Sequence, residues 1–498
     1  MAAEHQPGIR LAELVTEIAV PASGAGLRVS GLALDSRTVR PGDLFFALRG
    51  QRHDGREFLA AAAAAGAVAA LVDTAAPAPG APLPVFEVAE LAQRISAIAG
   101  RFYGEPSHAL AVTGITGTNG KTTCCQLLAQ LFTALEAPAG VIGTLGAGLL
   151  GAAPQDTGFT TPDAVATQRL LAELRAAGAR RVAMEVSSHS LAQGRVAAVR
   201  LHTALFTNLS RDHLDYHANM DAYRETKARL FRQPELRVAV VNLDDPAGRV
   251  MAAALPAKVR RLGYSARGAG AELRVVRADL GPAGVRARIA TPWGAGELVS
   301  PLPGAFNLAN LLAVIAAACG QGFALDAVLA AVPRLRAAPG RMQEVGGGPP
   351  RVMVDYAHTP DALQQALAAL RPVTQGRLWC VFGCGGERDR GKRPQMGAIA
   401  AQDADRLVLT SDNPRGEDPQ EILAEILAGL PARQRDAVAV MADRRQAIEH
   451  AIAAAGPEDC VLIAGKGHET WQEIRGVRWP FDDAAVARAA LAVREAGR

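Results

Sequence analysis

Apolar residues along this chain gather in short runs of aliphatic and β-branched residues, separated by longer stretches with helical spacing. That alternation predicts an α/β fold. Residues 1–104 carry the β-like runs LRVSGLALDS, DLFFAL, AVAALVD and PVFEV, and the Pro-rich APAPGAPLP (76–84) reads as a surface loop. Residues 105–338 open with ALAVTGIT. A helical pattern follows, with Leu127, Leu128, Leu131, Phe132 and Leu135 on one face, and then the runs RRVAMEVS, TALFTNLS and VAVVNLD. Helical stretches between these runs predict a parallel sheet. The segment AAPGRMQEVGGGPP (337–350) is a Pro/Gly break. Beyond it RVMVDYAH, RLWCVFGCGG, RLVLTSDNPR, AVAVMADR and CVLIAGKGHE restart the alternation, as expected of a second, Rossmann-like sheet. Three domains are therefore expected: 1–104, 105–338 and 339–498.

The unusual polar segments TGTNGKTT, SSH, NLSRDH, DYAH, GCGGERD, DNPR and GKGHE all sit at the carboxyl ends of the predicted strands. Ligands bind there in open parallel sheets, so the clustering favours catalysis over an ordinary scatter of polar residues.

Composition narrows the class. With 498 residues, 49% hydrophobic and 20% charged, the chain is expected to be an ordinary soluble globular protein with several cores. A net charge of +4 is too weak to predict a nucleic-acid or membrane partner. The start, MAAEHQPGIRLAEL, lacks a basic and then apolar leader pattern, and the apolar run Leu59 to Val72 is too short to span a bilayer. Six cysteines without CxxC or zinc spacing fit reduced thiols, and a cytoplasmic enzyme is expected. Only five of the 53 basic side chains are lysine: Lys121, Lys227, Lys258, Lys392 and Lys466. Where arginine serves almost everywhere, a retained lysine points to a need for a compact ammonium or a nucleophilic amine, with compositional accident as the alternative.

Gly114-Ile115-Thr116-Gly117-Thr118-Asn119-Gly120-Lys121-Thr122-Thr123 lies between a predicted strand and helix. Such a loop turns backbone N–H groups toward phosphates, with Lys121 reaching the β/γ-phosphates and the Thr122 hydroxyl reaching Mg²⁺. Glycines stand at 114 and 117, and Ile115 occupies the usual first-glycine position, so the motif is a variant. Glu185 in MEVSSH and His213 in NLSRDHLDYH are plausible Mg²⁺ ligands, although magnesium prefers oxygen. Two readings stay open for Lys227 in YRETKARLF. It is a solvated helix lysine, or a neutral amine that adds CO₂ and becomes a carbamate anion compatible with a nearby cation.

Taken in order, TGTNGKTT, MEVSSH, TNLSRDHLDYH with YxxxK, GxFNLAN, PGRMQ, DYAHTPD and GCGGERDRGKRP resemble the Mur ligase family over nearly the whole chain. These are ATP-dependent amide-forming enzymes of peptidoglycan precursor synthesis. The resemblance implies a small N-terminal α/β domain (1–104) binding a UDP substrate, a central P-loop-type parallel-sheet ATPase domain (105–338), and a Rossmann-like C-terminal domain (339–498) for the incoming amino acid. Residue by residue, Leu34, Ser36 and the segment Gln51-Arg52-His53 match positions that hold the UDP part. Thr160, Thr161, Ser187, Gln193 and Arg195 match contacts to the muramoyl-dipeptide. Gly117, Thr118, Asn119, Gly120, Lys121, Thr122, Thr123, Asn307, Arg341 and Asp355 match the ATP site. Lys227 matches the family's carbamylated lysine, and Glu185 and His213 its second magnesium site.

Asp412-Asn413-Pro414-Arg415 matches the family's signature of a diaminopimelate-adding member. Arg388 and Arg415 would take the far carboxylate, and Gly465 and Glu469 the distal ammonium. The expected activity joins meso-diaminopimelate to the D-glutamyl γ-carboxylate of UDP-N-acetylmuramoyl-L-Ala-D-Glu through an acyl phosphate. ATP, Mg²⁺ and a CO₂-derived carbamate on Lys227 would serve, in a monomer without nucleic-acid or membrane partners. Alternatives are a lysine-adding ligase of the same family, a folylpolyglutamate-synthase-type ligase, and a P-loop switch or kinase that ligates nothing. For Asn307 a helix-capping amide is a further alternative.

Overall fold

The computed structural model describes residues 8–50, 53–74, 80–136, 138–214, 216–268, 270–281 and 283–496. Gln51, Arg52 and residues 76–79 of the Pro-rich stretch lie outside them. The chain divides into two compact units. The first comprises Met1–Thr116, Ala137–Ala204 and Thr226–Arg237; the second comprises Gly117–Glu136, Leu205–Glu225 and Val238–Arg498.

In the first unit, strands Gly31–Ala33, Asp43–Ala47, Ala69–Asp73 and Val85–Val88 pair in sequence order as a parallel sheet. Successive side chains point to opposite faces. Leu44, Phe46 and Leu71 pack with residues of helix Leu91–Phe102, while Phe45, Ala47 and Val72 pack with residues of helix Leu59–Ala64. Both faces are covered, which is why these strands are almost wholly apolar. The same unit holds strands Ala111–Thr116, Arg181–Glu185 and Gly140–Gly143, paired parallel in that order, with Gly146–Leu149 antiparallel at the edge.

The second unit contains two larger sets of paired strands and a two-stranded antiparallel ribbon, Trp471–Ile474 with Val477–Pro480. Strands Val238–Asn242 and Arg260–Ser265 are parallel, and the latter also pairs parallel with the start of Leu273–Gly281. An antiparallel meander then runs through Leu273–Gly281, Gly284–Thr291 and Gly294–Ser300. The sequence pattern predicts only helix-linked parallel strands here, so the meander is a departure. Its physical reason is visible in the middle strand. Val285, Ala287 and Ile289 are buried while Arg286 and Arg288 are exposed, the alternation of a sheet wet on one face. Helix Ala305–Gly320 is apolar on nearly every side because it lies between this sheet and helix Lys121–Leu135.

The second sheet has the order Gln343–Val345, Arg351–Asp355, Cys460–Ala464, Leu378–Phe382, Arg406–Leu409, Ala439–Val440. All neighbours are parallel except the Gln343–Val345 edge. Cys380 and Phe382 belong to one core with residues of helices Pro360–Leu370, Lys392–Asp403 and Pro419–Ala428. Trp379 and Val381 belong to the other, with residues of helices Arg444–Ala454 and Asp483–Ala496. The six cysteines are all free and buried, as expected of reduced thiols.

Two buried guanidiniums tie the carboxyl ends of these strands together. Arg444 is paired with Asp483 at 2.7 and 2.8 Å, both fully buried, and it also donates to the carbonyls of Ser411 (3.2 Å) and Ala464 (2.9 Å). The first of those carbonyls immediately precedes DNPR, and the second belongs to the last residue of strand Cys460–Ala464. Arg393, also buried, makes two 2.9 Å bonds to Glu417, one of 2.7 Å to Glu425 and one of 3.2 Å to the Gly385 carbonyl. The hydrogen bonds from Arg393 hold the Glu417 carboxyl down to about 2 against the opposing effect of burial.

Removing one partner of a buried pair strands the other charge. Asp483→Ala is expected to lower the unfolding free energy by about 3–5 kcal/mol, with Arg444→Leu/Asp483→Leu recovering part of it, as read from urea midpoints. Because Glu417 titrates lower when folded, its stabilisation is complete above the ordinary glutamate range near 4.5 and is lost as pH falls to about 2. Glu417→Gln is expected to flatten that acid limb of a stability-versus-pH curve.

Candidate active site

The loop 117–120 is built to hold its backbone open. Gly117 has φ 153°, and a Cβ there would lie 1.8 Å from the Thr207 hydroxyl; Gly120 has φ 82°. The loop is anchored on the segment after strand Leu201–Phe206. Thr118 N–H donates to the Asn208 carbonyl at 2.9 Å, Asn119 N–H to Asn208 Oδ1 at 2.9 Å, and the Thr207 hydroxyl to the Asn119 carbonyl at 2.6 Å. Lys121 curls back to donate to the carbonyls of Gly117 (3.0 Å) and Thr118 (2.8 Å). Helix Lys121–Leu135 starts there, with Thr122 and Thr123 buried in its first turn. A loop of this shape followed by a helix N-terminus is suited to anions.

The remaining expected ATP residues gather in the same unit. Arg341 donates to the Thr122 hydroxyl at 3.2 Å and stacks 4.2 Å over the Tyr356 ring. Asp355, the last residue of its strand, accepts from the N–H groups of Met342 (2.7 Å) and Ala357 (2.9 Å). Burial pushes its carboxyl up, opposed by Arg341 and those N–H donors. Asn307 is buried in the first turn of its helix and donates to the Pro303 carbonyl at 2.8 Å, so its amide secures the start of that helix. His213 has φ 54° and lies 3.4 Å from the Asp212 carboxylate. Although burial opposes it, the charges of His213, His358 and Lys121 hold the Asp212 carboxyl below its ordinary range.

In the first unit, a second cluster forms at another strand end. Glu185 ends its strand and is 1% exposed. Its carboxylate accepts from Thr144 N–H at 2.8 Å and lies 3.1 Å from the Thr144 hydroxyl, which is also 3.1 Å from the Thr160 hydroxyl. Gly143 permits this approach, since a Cβ there would be 2.4 Å from Glu185 Oε1. The Thr161 hydroxyl donates to the Glu185 carbonyl at 2.9 Å and accepts from Ser187 N–H at 3.0 Å. Arg195 donates to the Thr161 carbonyl at 2.7 Å and forks onto Gln193 Oε1 at 2.9 and 2.7 Å. Thr160, Thr161, Glu185, Ser187, Gln193 and Arg195 are thus brought together. Lys227, in helix Met220–Ala228, is 1% exposed. Leu34 and Ser36 are half-buried just beyond strand Gly31–Ala33, and His53 is exposed, edge-on to Phe58.

Thr122 and Glu185 offer the hard oxygen donors Mg²⁺ takes, and His213 a less typical nitrogen. Among the described residues no group of three or more His, Cys, Asp or Glu side chains is gathered for a metal. Few protein ligands suit a magnesium ion that relies on substrate phosphates for the rest of its shell.

The expected amino-acid residues converge in the second unit. Arg415 has φ 52° and donates to the Gly386 carbonyl at 2.7 Å. A Cβ on Gly385 would lie 3.0 Å from Arg415 Nη1 and 3.8 Å from Arg388 Cγ, so both arginines flank that glycine. Asn413 donates to Glu469 Oε2 at 2.9 Å. Gly465, at φ 116°, lets Asp412 approach; a Cβ there would be 2.6 Å from its Oδ2. Pro414 closes over Gly386, whose Cβ would meet its carbonyl at 2.0 Å.

Several participants escape the sequence reading. Asp361 accepts from Asn119 Nδ2 at 3.1 Å, and Thr144 supports Glu185. His358 is pushed down to about 4 by burial and by the charge of Lys392, so it is neutral near pH 7. Asp361 and His358 lie inside DYAHTPD, a motif whose odd polar residues were the available signal. Thr144 sits in a plain Gly-rich stretch and gave none.

Three family models match the chain in succession: Mur ligase family, catalytic domain, at residues 28–103; Mur ligase middle domain at 115–318; and Mur ligase, glutamate ligase domain, at 340–467. A UDP-N-acetylmuramoyl-L-alanyl-D-glutamate–2,6-diaminopimelate ligase of Ectopseudomonas mendocina is 52% identical, covering 96% of this chain and 98% of that protein. The enzyme of the same name in Pseudomonas aeruginosa is 51% identical over 95% and 97%. A solved structure of a UDP-N-acetylmuramoyl-L-alanyl-D-glutamate–2,6-diaminopimelate ligase is 38% identical, with a TM-score of 0.71 over 98% of this chain and 99% of that one. With phosphate-loop geometry, strand-end polar clusters and matches along almost its entire length, this chain belongs to the Mur ligase family.

Proposed function

We propose that this chain is the ATP-dependent ligase that joins meso-diaminopimelate to the D-glutamyl γ-carboxylate of UDP-N-acetylmuramoyl-L-Ala-D-Glu, a cytoplasmic step of peptidoglycan precursor synthesis. The observation that carries it is the match of nearly the full chain to ligases of that name, at half identity or better. On this reading residues 1–104 hold the UDP part, 105–338 the ATP, and 339–498 the amino acid.

The chemistry follows from a carboxylate being a poor electrophile. Transfer of the γ-phosphoryl group of ATP to the γ-carboxylate gives an acyl phosphate and ADP. An amine of diaminopimelate then attacks the acyl carbon, the new C–N bond forms, and phosphate leaves. Lys121 and the N–H groups of the 117–120 loop spread the charge of the moving phosphoryl group. Mg²⁺ would neutralise phosphate charge; the Thr122 hydroxyl is proposed to hold the ion on the nucleotide, and Glu185, His213 and a carbamate on Lys227 a second one. Carbamylation replaces an ammonium, expensive to bury, with an anion that a cation can pair with. Thr160, Thr161, Ser187, Gln193 and Arg195 orient the dipeptide portion.

Arg388 and Arg415 supply the substrate preference. Diaminopimelate differs from lysine by one carboxylate at its far end, which a guanidinium fork suits, whereas lysine would leave that guanidinium unpaired. This favours diaminopimelate over lysine as the added residue. The match of residues 28–103 to the Mur catalytic domain favours a UDP-sugar substrate over a folate.

Phosphate release with UDP-N-acetylmuramoyl-L-Ala-D-Glu and ATP, measured against a panel of amino acids, tests the reading. Meso-diaminopimelate is expected to be the efficient acceptor, and Arg415→Ala to raise its KM by roughly 30-fold or more with little change in the KM for ATP. Preferred turnover of another amino acid, or an unmoved KM, would refute the assignment. Lys227→Ala is expected to abolish turnover and to regain part of it with added acetate, whose carboxylate replaces the carbamate; full activity without acetate would remove the carbamate.

A further inference from the structure

Lys466 is one of only five lysines and is fully buried, yet the chemistry above leaves it without a task. Its ammonium donates to Asn413 Oδ1 at 3.0 Å and to Glu469 Oε2 at 2.8 Å, and lies 5.4 Å from the centre of the Trp471 ring. Three N–H bonds thus face an amide oxygen, a carboxylate oxygen and an aromatic face, a divergent set that a planar guanidinium does not match. Glu469 Oε2 also accepts from Asn413 Nδ2 at 2.9 Å, and Asn413 Oδ1 from Glu473 N–H at 3.0 Å. Glu469 Oε1 takes no hydrogen bond from the described residues.

The neighbouring charges are matched in the same way. Arg415 Nε stands 3.8 Å from Glu473 Oε2, and the carboxylate of Glu469 is bridged to Lys466. A pocket holding a glutamate and two arginines would otherwise quench itself, the acid closing onto a guanidinium before substrate arrives. Here Arg415 faces Glu473 and Glu469 is held by Lys466, so that arginine and that acid each have an internal partner.

We propose that Lys466 is a positioning residue for substrate selection: with Asn413 it locks Glu469 through Oε2, presents Oε1 to the distal ammonium of the incoming diamino acid, and keeps that carboxylate off the arginines. This rests on the amino-acid pocket proposed above. Holding a carboxylate in advance saves the ordering cost that substrate would otherwise bear, so its loss should appear in amino-acid binding more than in turnover.

The test is a double-mutant cycle on the full-length enzyme: Lys466→Met, Glu469→Gln and both together, with KM for meso-diaminopimelate, KM for ATP and kcat measured for each. Lys466→Met is expected to raise the KM for diaminopimelate about tenfold while the KM for ATP moves less than about twofold. In the Glu469→Gln background, where no carboxylate remains to be positioned and no buried charge is stranded, the same change should add less than about threefold. Lys466→Arg should fail to restore the wild-type KM. Equal rises in both KM values, an unmoved KM for diaminopimelate, or full additivity in the double variant would overturn the role. If Glu469→Gln alone leaves the KM for diaminopimelate unmoved, the pocket assignment itself fails and the proposal falls with it. If Glu469→Gln raises it and Lys466→Met does not, only the positioning role is lost.

Discussion

Parallel strands end together, and their last carbonyls and N–H groups, buried by the helices on both faces, must find partners in whatever segment follows. That requirement shapes this protein. The Glu185 carbonyl accepts from Thr161, the Asp355 side chain from two backbone N–H groups, and the Ala464 carbonyl from Arg444. Within each unit, each satisfied strand end leaves a polar group at the carboxyl edge of its own strands. The chemistry-bearing residues sit on structure that folding would demand in any case, with glycines at 117, 143 and 465 where the approach is too close for a Cβ.

Much of this was legible in the chain itself. The apolar runs marked the strands of the N-terminal sheet and of the C-terminal sheet because both sheets are covered on both faces. TGTNGKTT and DNPR declared themselves by unusual residues at predicted strand ends. The meander from Leu273 to Ser300 was not legible in that way, since its middle strand alternates arginine with apolar residues and turns back without helices. Ala439–Val440 is only two residues long although AVAVMADR reads as a full strand; an edge position needs little pairing.

Side-chain partnerships across long sequence distances were beyond pattern reading. Asn119 meets Asp361, Arg341 meets Thr122, and Arg444 meets Asp483, each pairing set by the fold and by no local spacing. The rarity of lysine did single out Lys466, but only geometry revealed that its neighbours are Asn413 and Glu469. The arginine-rich composition fits this picture: planar forks bind carbonyls and carboxylates at Arg393 and Arg444, while the compact ammonium is kept for a three-way junction.

One feature of Arg415 has a mechanical consequence. Its N–H donates to the Glu473 carbonyl at 3.0 Å, and its own carbonyl accepts from Arg475 N–H at 2.6 Å. The residue is therefore stitched, on both sides of its Cα, to the ribbon formed by Trp471–Ile474 and Val477–Pro480. Its guanidinium rides on that ribbon as a tool on a handle. Changes in the length or twist of the ribbon's turn at Arg475 and Gly476 would re-aim it without touching a single pocket residue, giving evolution a remote dial for side-chain preference.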